Sequence, residues 1–552
     1  MKRVIVIVGC LLSGMGCGNS SGGESAGSGG QAGGSTTTDA GGSLGAGGTT
    51  DKGGTPGAGG TTGTGGTTGR GGTPGSGGTP GRGGTPGTGG TTVGTGGVTV
   101  GTGGASMATG GGSAGAGGGV GGTTTGSLLD RLAVSDVTIP AGVKPGRSNW
   151  RIWGTGSLNI SPVYTVPLAD CGTLVCITTG TADSRTALGT SHAYAIKLDA
   201  NDRLVEAYDL GAYECRGLAA EPDGHFAALL WAASMTKDCA DPAVNGHIFL
   251  SRFDATGAKG WSTELTNTTG SSPNCPTDFG LGESRMEFGG ASYGAYYHVH
   301  SQSGHEGDTL KYVDLTGKES TTWSWGCSHS MSNLLRYNAS DKKFMPACVT
   351  DCYPGTSGSD FATTAIGGVY INNRNKVIDM DAGCNGDVAG ELGGAAIAPS
   401  GWKIVFNGHQ APATLGQSSY DKATMNQDIG FASIGSGLTS GAVVWLTTTA
   451  GNEADSGIER WAPSDDSSEQ YVAGWAETSN PYAYKLVRLD ATGKILEGPV
   501  DVTSKAKWGR RDDPFRAHGN GDVVWAWFDA ASSTTMHLAR LRSGGEATCA
   551  SF

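Results

Sequence analysis

From Leu174 onward the chain alternates short apolar runs with two families of polar bend. The first family follows an apolar anchor: Leu198-Asp199-Ala200-Asn201, Phe253-Asp254-Ala255-Thr256-Gly257, Val313-Asp314-Leu315-Thr316-Gly317, Ile371-Asn372-Asn373, Ile434-Gly435-Ser436-Gly437, Leu489-Asp490-Ala491-Thr492-Gly493 and Leu541-Arg542-Ser543-Gly544. Aspartate bonds its own backbone and glycine accepts positive φ, so each reads as a tight turn between strands. The residues after the anchors fall at 199, 254, 314, 372, 435, 490 and 542, which are 52 to 63 residues apart. A second bend lies near the middle of each unit: Asp170-Cys171-Gly172, Pro222-Asp223-Gly224, Ser292-Tyr293-Gly294, Ala339-Ser340-Asp341, Pro399-Ser400-Gly401, Pro463-Ser464-Asp465 and Gly519-Asn520-Gly521. Apolar runs follow these bends, as at Phe226 to Trp231, Tyr471 to Trp475 and Val523 to Trp527. Two hairpins per unit make four strands. Seven such units hide their edges best by radial closure, so the pattern predicts an all-β fold, a seven-bladed β-propeller.

The first 126 residues have none of this alternation. Met1-Lys2-Arg3 is basic and Val4 to Leu12 apolar, a run too short to span a bilayer and therefore an export signal. Small residues then lead to Cys17, whereas Cys10 would leave too short an apolar run before it. From Gly18 to Gly126 the chain is nearly all Gly, Thr, Ser and Ala, with a six-residue beat from Thr55 to Thr91. Such a composition buries too little to offset the entropy of ordering, so a disordered tether is expected. The boundaries read as 1–16 signal peptide, 17–126 linker and 127–552 propeller.

Composition changes the picture at two points. The net charge of −12 argues against nucleic acid as a partner. Hydrophobic content is only 36%, but the tether dilutes it, and all 13 tryptophans lie beyond the tether. Ten cysteines follow Cys17, an even number that reads as disulfides in an exported chain. Cys239 with Cys275 is the favoured pair, since both sit on neighbouring long loops.

In a four-stranded blade the first-to-second and third-to-fourth turns share one face, and the other loops share the opposite one. Both short-turn series therefore lie together, and the long loops, such as Asp351 to Thr364 and Gly408 to Asp428, gather opposite them. That face is where binding is expected. Charged residues near the start of innermost strands, Arg285, Glu391, Arg460, Arg511 and Asp513, would ring the channel mouth with Arg216, Glu459 and Arg516, and Trp325 and Tyr353 could stack on sugar rings. His298 and His300 point the same way on a strand, with His305 and His329 on adjacent loops. Imidazoles so grouped could hold a divalent transition metal, although no tightly spaced ligand signature is present. No cofactor is otherwise expected, and no nucleophile elbow or phosphate loop occurs.

Residues 1–126, with Cys17 at their head, resemble the lipobox-plus-tether leader of bacterial lipid-anchored surface proteins, and the remainder resembles extracytoplasmic seven-bladed propellers. The resemblance implies a lipid on Cys17, and Gly18 in place of a retention aspartate implies an outer-membrane destination. The expectation is a monomeric, membrane-tethered propeller that binds an extracellular carbohydrate or protein and is not primarily an enzyme. A metal-assisted hydrolase or lyase built on the histidines is the alternative.

Overall fold

In the computed structural model the described residues are 126–151, 157–158, 160–182, 191–233, 246–266, 274–276, 284–301, 306–327, 332–350, 367–372, 375–380, 382–383, 387–410, 426–478, 482–509, 513–545 and 549. Residues 1–125, which include Cys17 and nearly all of the expected signal peptide and tether, lie outside them.

Seven antiparallel sheets form the seven blades. Blade 1 runs outward through Tyr164–Pro167, Thr173–Thr178, Ala193–Leu198 and Leu204–Gly211, and blade 2 through Glu214–Ala220, Phe226–Ala233, Gly246–Phe253 and Lys259–Glu264. Blade 3 comprises Ser284–Phe288, Ser292–Ser301, Glu306–Asp314 and Glu319–Gly326, with Asn274–Pro276 added beside its second strand. Blade 4 is Ser332–Asn338, Lys343–Thr350, Gly367–Ile371 and Asn375–Met380. Blade 5 is Gly390–Ile397, Trp402–Gly408, Asp428–Ile434 and Val444–Trp445, and blade 6 is Glu453–Trp461, Gln470–Glu477, Ala483–Asp490 and Ile495–Asp501.

Blade 7 is assembled from both ends of the chain. Arg516–Ala517, Val523–Trp527 and Thr535–Leu541 supply three strands, and Leu132–Thr138 supplies the outermost, in register from Leu132 opposite Leu541 to Thr138 opposite Thr535. The bend after Leu541 is thus no hairpin, because the place beside Thr535–Leu541 is already taken by Leu132–Thr138. The bend expected at Ser292 to Gly294 is also displaced. Those residues open a strand, and the reversal is made just before them, where Gly289 N–H bonds Ser292 O at 2.7 Å.

The recurring Asp bends form for a local reason. Asp254 Oδ1 accepts from Thr256 N (2.8 Å), Thr256 Oγ1 (2.7 Å) and Ala258 N (3.0 Å), and Asp314 and Asp490 repeat the pattern with Thr316 and Thr492. Gly493 closes one such turn at φ +87°, where a Cβ would also meet the Phe431 ring at 2.6 Å.

The core is likewise sevenfold. Each of seven buried apolar clusters fills one blade boundary, from Trp402 and Phe406 between blades 4 and 5 to Trp461 and Trp525 between blades 6 and 7. At the boundary between blades 3 and 4 the buried apolar residues among those described are Tyr296, Leu310, Cys327, Leu335, Cys348 and Tyr370. A disulfide, Cys327–Cys348, crosses it. Cys176–Cys215 joins blades 1 and 2, and Cys171–Cys549 ties the first bend of blade 1 to the tail beyond blade 7. Six of the ten cysteines expected to form disulfides are thus paired among the described residues, and these bonds fit an oxidising, extracytoplasmic environment. Cys239 lies outside the described residues. Among those described, no helix is long and apolar enough to cross a membrane.

Candidate functional site

The innermost strands of all seven blades surround a cavity on the propeller axis. Its wall takes Val166 and Pro167 from blade 1, Leu218 to Ala220 from blade 2, Glu287 and Phe288 from blade 3, Arg336 from blade 4, Ile397 from blade 5, Glu459 and Arg460 from blade 6, and Arg516 and Ala517 from blade 7. These residues stand near the ends of their strands that lead into the short bends, so the cavity opens on the short-turn side. The inner chamber is about 200 Å³. A mouth of about 430 Å³, bordered by Pro222, Pro399, Gly519 and Cys549, leads into it.

The collar is apolar and the floor is ionic. Arg336 reaches Glu459 at 3.1 Å, Asp513 at 3.2 Å and Glu287 at 3.5 Å, and it donates to Phe515 O at 3.1 Å. Arg516 reaches Asp513 at 2.8 Å and Glu287 at 3.7 Å. Four blades are thereby joined through one buried guanidinium. Burial pushes Glu459 up to about 7 and also raises Glu287, against the pull of Arg336 and Arg516 in both cases. At Asp513 burial acts in the same sense but is outweighed by Arg336, Arg516 and Arg285, and the carboxyl is held below its ordinary value. The Arg336 guanidinium, despite its own burial, is held above its ordinary value by Asp513, Glu459 and Glu287. Charges at this depth survive only when paired and hydrogen-bonded.

Blade 5 makes room for this cluster by having no side chains where it passes. At Gly394 a Cβ would stand 2.7 Å from Asp513 Oδ1, and at Gly393 it would stand 2.0 Å from Ser456 Oγ. Asp513 Oδ1 instead accepts from Ala395 N at 3.3 Å. The strand pairing slips at this point, between Leu392 and Ala395.

The residues singled out from sequence scatter across this arrangement. Arg460 lines the cavity and Asp513 anchors its floor. Arg285 is 3% exposed, donates to Ser284 O at 2.9 Å and acts on Asp513 through its charge. Glu391 is buried near the start of its strand. Arg216 pairs with Glu214 at 3.2 Å within its own blade and lies over the Trp231 ring. Trp325 belongs to the outermost strand of blade 3, away from the axis. Tyr353 and Arg511 lie outside the described residues.

His298 is 4% exposed, with Nδ1 3.0 Å from Asp308 Oδ1, while Tyr296 donates to the other Asp308 oxygen at 2.7 Å. Asp308 also approaches the Cys327 and Cys348 sulfurs, which are bonded to each other. His300 pairs its backbone with Cys275 and Glu306. His305 and His329 lie outside the described residues. Sequence reading missed Glu287 and Arg336. Glu287 could have been found, because it stands two residues from Arg285 on the same strand, and such residues share a face.

The arrangement defines a class: a closed seven-bladed β-propeller with an axial cavity. No protein-family model matches the chain, and no curated protein does. Among solved structures it is similar to the Dos1 propeller (11% identity, 76% of this chain and 97% of that one, TM-score 0.35). It is also similar to the α-L-arabinofuranosidase Arb93A from Fusarium graminearum, solved with an iminosugar inhibitor (9% identity, 74% and 97%, TM-score 0.36). A third is the β-propeller domain of the trilobed protease from Pyrococcus furiosus, described as having an open velcro topology (9% identity, 66% and 91%, TM-score 0.34). The sevenfold architecture assigned to this chain rests on its own strand pairings.

Proposed function

We propose that this chain is an exported lipoprotein, held to the outer membrane through Cys17, whose propeller binds an extracellular carbohydrate in its axial cavity. The observation that carries the binding reading is the cavity itself: an apolar collar over a floor of oriented charges, which is how sites for polar rings are built. The floor charges engage one another in ion pairs, and this supports recognition over covalent chemistry. Phe288 in the collar offers an aromatic face for a sugar ring. Three disulfides support an exported destination. The tether suits capture at a distance: as a Gly-rich coil of roughly 110 residues it has a root-mean-square span of ~55–60 Å.

The test is glycan-array binding by the full-length protein beside Ala517→Trp, which places a large side chain in the cavity wall. Specific glycan retention by the natural protein, lost in the variant, is the expected result. Retention unchanged in the variant would move the site to the long-loop face, and no retention would leave a protein ligand as the reading to pursue. Palmitate labelling that disappears in Cys17→Ala tests the anchor.

A further inference from the structure

Among the described residues, the ion pairs of the cavity floor are unequal in number, although the Arg285 charge also acts on Asp513. The ion-paired set holds three carboxylates, Glu287, Glu459 and Asp513, on two guanidiniums, Arg336 and Arg516. The shortage falls unequally. Asp513 and Glu459 receive the contacts at 2.8 to 3.2 Å, whereas Glu287 receives only those at 3.5 and 3.7 Å, both through Oε1. Contacts of that length lie at or past the limit of a hydrogen bond. Glu287 is also the most accessible of the three, with 17% of its side chain exposed against 4% for Glu459 and 0% for Asp513. It borders both the inner chamber and the mouth, so an incoming group meets it without displacing anything buried. The two other arginines nearby, Arg285 and Arg460, are engaged by groups of their own.

We propose that the cavity selects a saccharide bearing a free amino group, whose ammonium seats against Glu287 and supplies the third positive charge. The inference rests on the carbohydrate-binding reading above and adds the class of sugar. An ammonium brings three donors to a carboxylate that is poorly served by its own protein. A charge-assisted bond is roughly twice as strong as a neutral one. Burial raises both Glu287 and Glu459, so the cluster without ligand favours a bound proton. An ammonium against Glu287 favours the ionised pair, so binding and proton release are linked.

The experiment is titration calorimetry of the full-length protein with glucosamine, N-acetylglucosamine and glucose at pH 6, in buffers of differing ionisation enthalpy. Glucosamine should bind at least ~10-fold more tightly than the other two, a difference of ~1.4 kcal/mol. About one proton should be released with it and none with glucose. Glu287→Gln should bring glucosamine down to the level of glucose, and Glu287→Asp, which keeps the charge, should retain the preference. Equal affinity for all three sugars, or an undiminished preference in Glu287→Gln, overturns the amine inference while leaving carbohydrate binding in place. If none of the three binds and chitosan oligomers do not either, both readings fall.

Discussion

Replacing Glu459 by glutamine should stabilise this protein above neutral pH and leave it nearly unchanged in acid. Glu459 is held at about 7 in the folded chain by burial, against 4.5 as its ordinary value. Between those values the folded form keeps a proton that the unfolded form has lost. Stability therefore falls as pH rises from about 4.5 to about 7. At ~1.4 kcal/mol per pH unit, that gap amounts to ~3 kcal/mol. Glutamine has the shape and neutrality of the protonated acid. Its oxygen can accept from Arg336 Nη2 or from Arg460 N, the groups that face Glu459 at 3.1 and 2.9 Å. Arg336 keeps Asp513, Glu287 and Phe515 O whichever is chosen. Urea unfolding of full-length Glu459→Gln and its parent, from pH 4.5 to 8.5, should give stabilities within ~1 kcal/mol at the acid end and a variant ~3 kcal/mol more stable at pH 8. Two curves running parallel across that range would show that Glu459 does not titrate where its burial places it.

Two further outcomes follow from the ring and its floor. Cys171→Ser removes the bond to Cys549 that joins blade 1 to the tail beyond blade 7, and should cost ~2–5 kcal/mol; an unchanged urea midpoint under non-reducing conditions would deny the bond any part in ring closure. Gly394→Val drives a Cβ to within 2.7 Å of Asp513 Oδ1 and 2.9 Å of Ile458 N, and should cost ~1–3 kcal/mol, read as a lowered melting temperature; no change would mean that blade 5 yields there freely.

The blade count was legible because each turn is specified locally. Asp254, Asp314 and Asp490 satisfy three donors apiece from within five residues, so nothing distant is needed to recognise them. The closure of blade 7 was not legible. Leu132–Thr138 is one short alternating strand, and nothing in its own residues names a partner at the far end of the chain. The site was half legible for the same reason. Charged residues on innermost strands could be collected from the repeat, and Arg460 and Asp513 are indeed at the cavity. The floor, however, depends on Arg336 reaching residues of three other blades, and side-chain reach across an axis leaves no mark in a local pattern. Position along a strand also decides which end of the channel a residue serves. Glu459 and Arg460 stand near the end of Glu453–Trp461, and the cavity accordingly opens beside the short bends.

The pairing of Leu132 with Leu541 makes the molecule a test of its own completeness. Leu132–Thr138 must wait for Thr535–Leu541, about four hundred residues later in the chain, a separation that slows folding and leaves an adhesive edge bare meanwhile. A product cut short anywhere in between keeps that edge and cannot shut the circle.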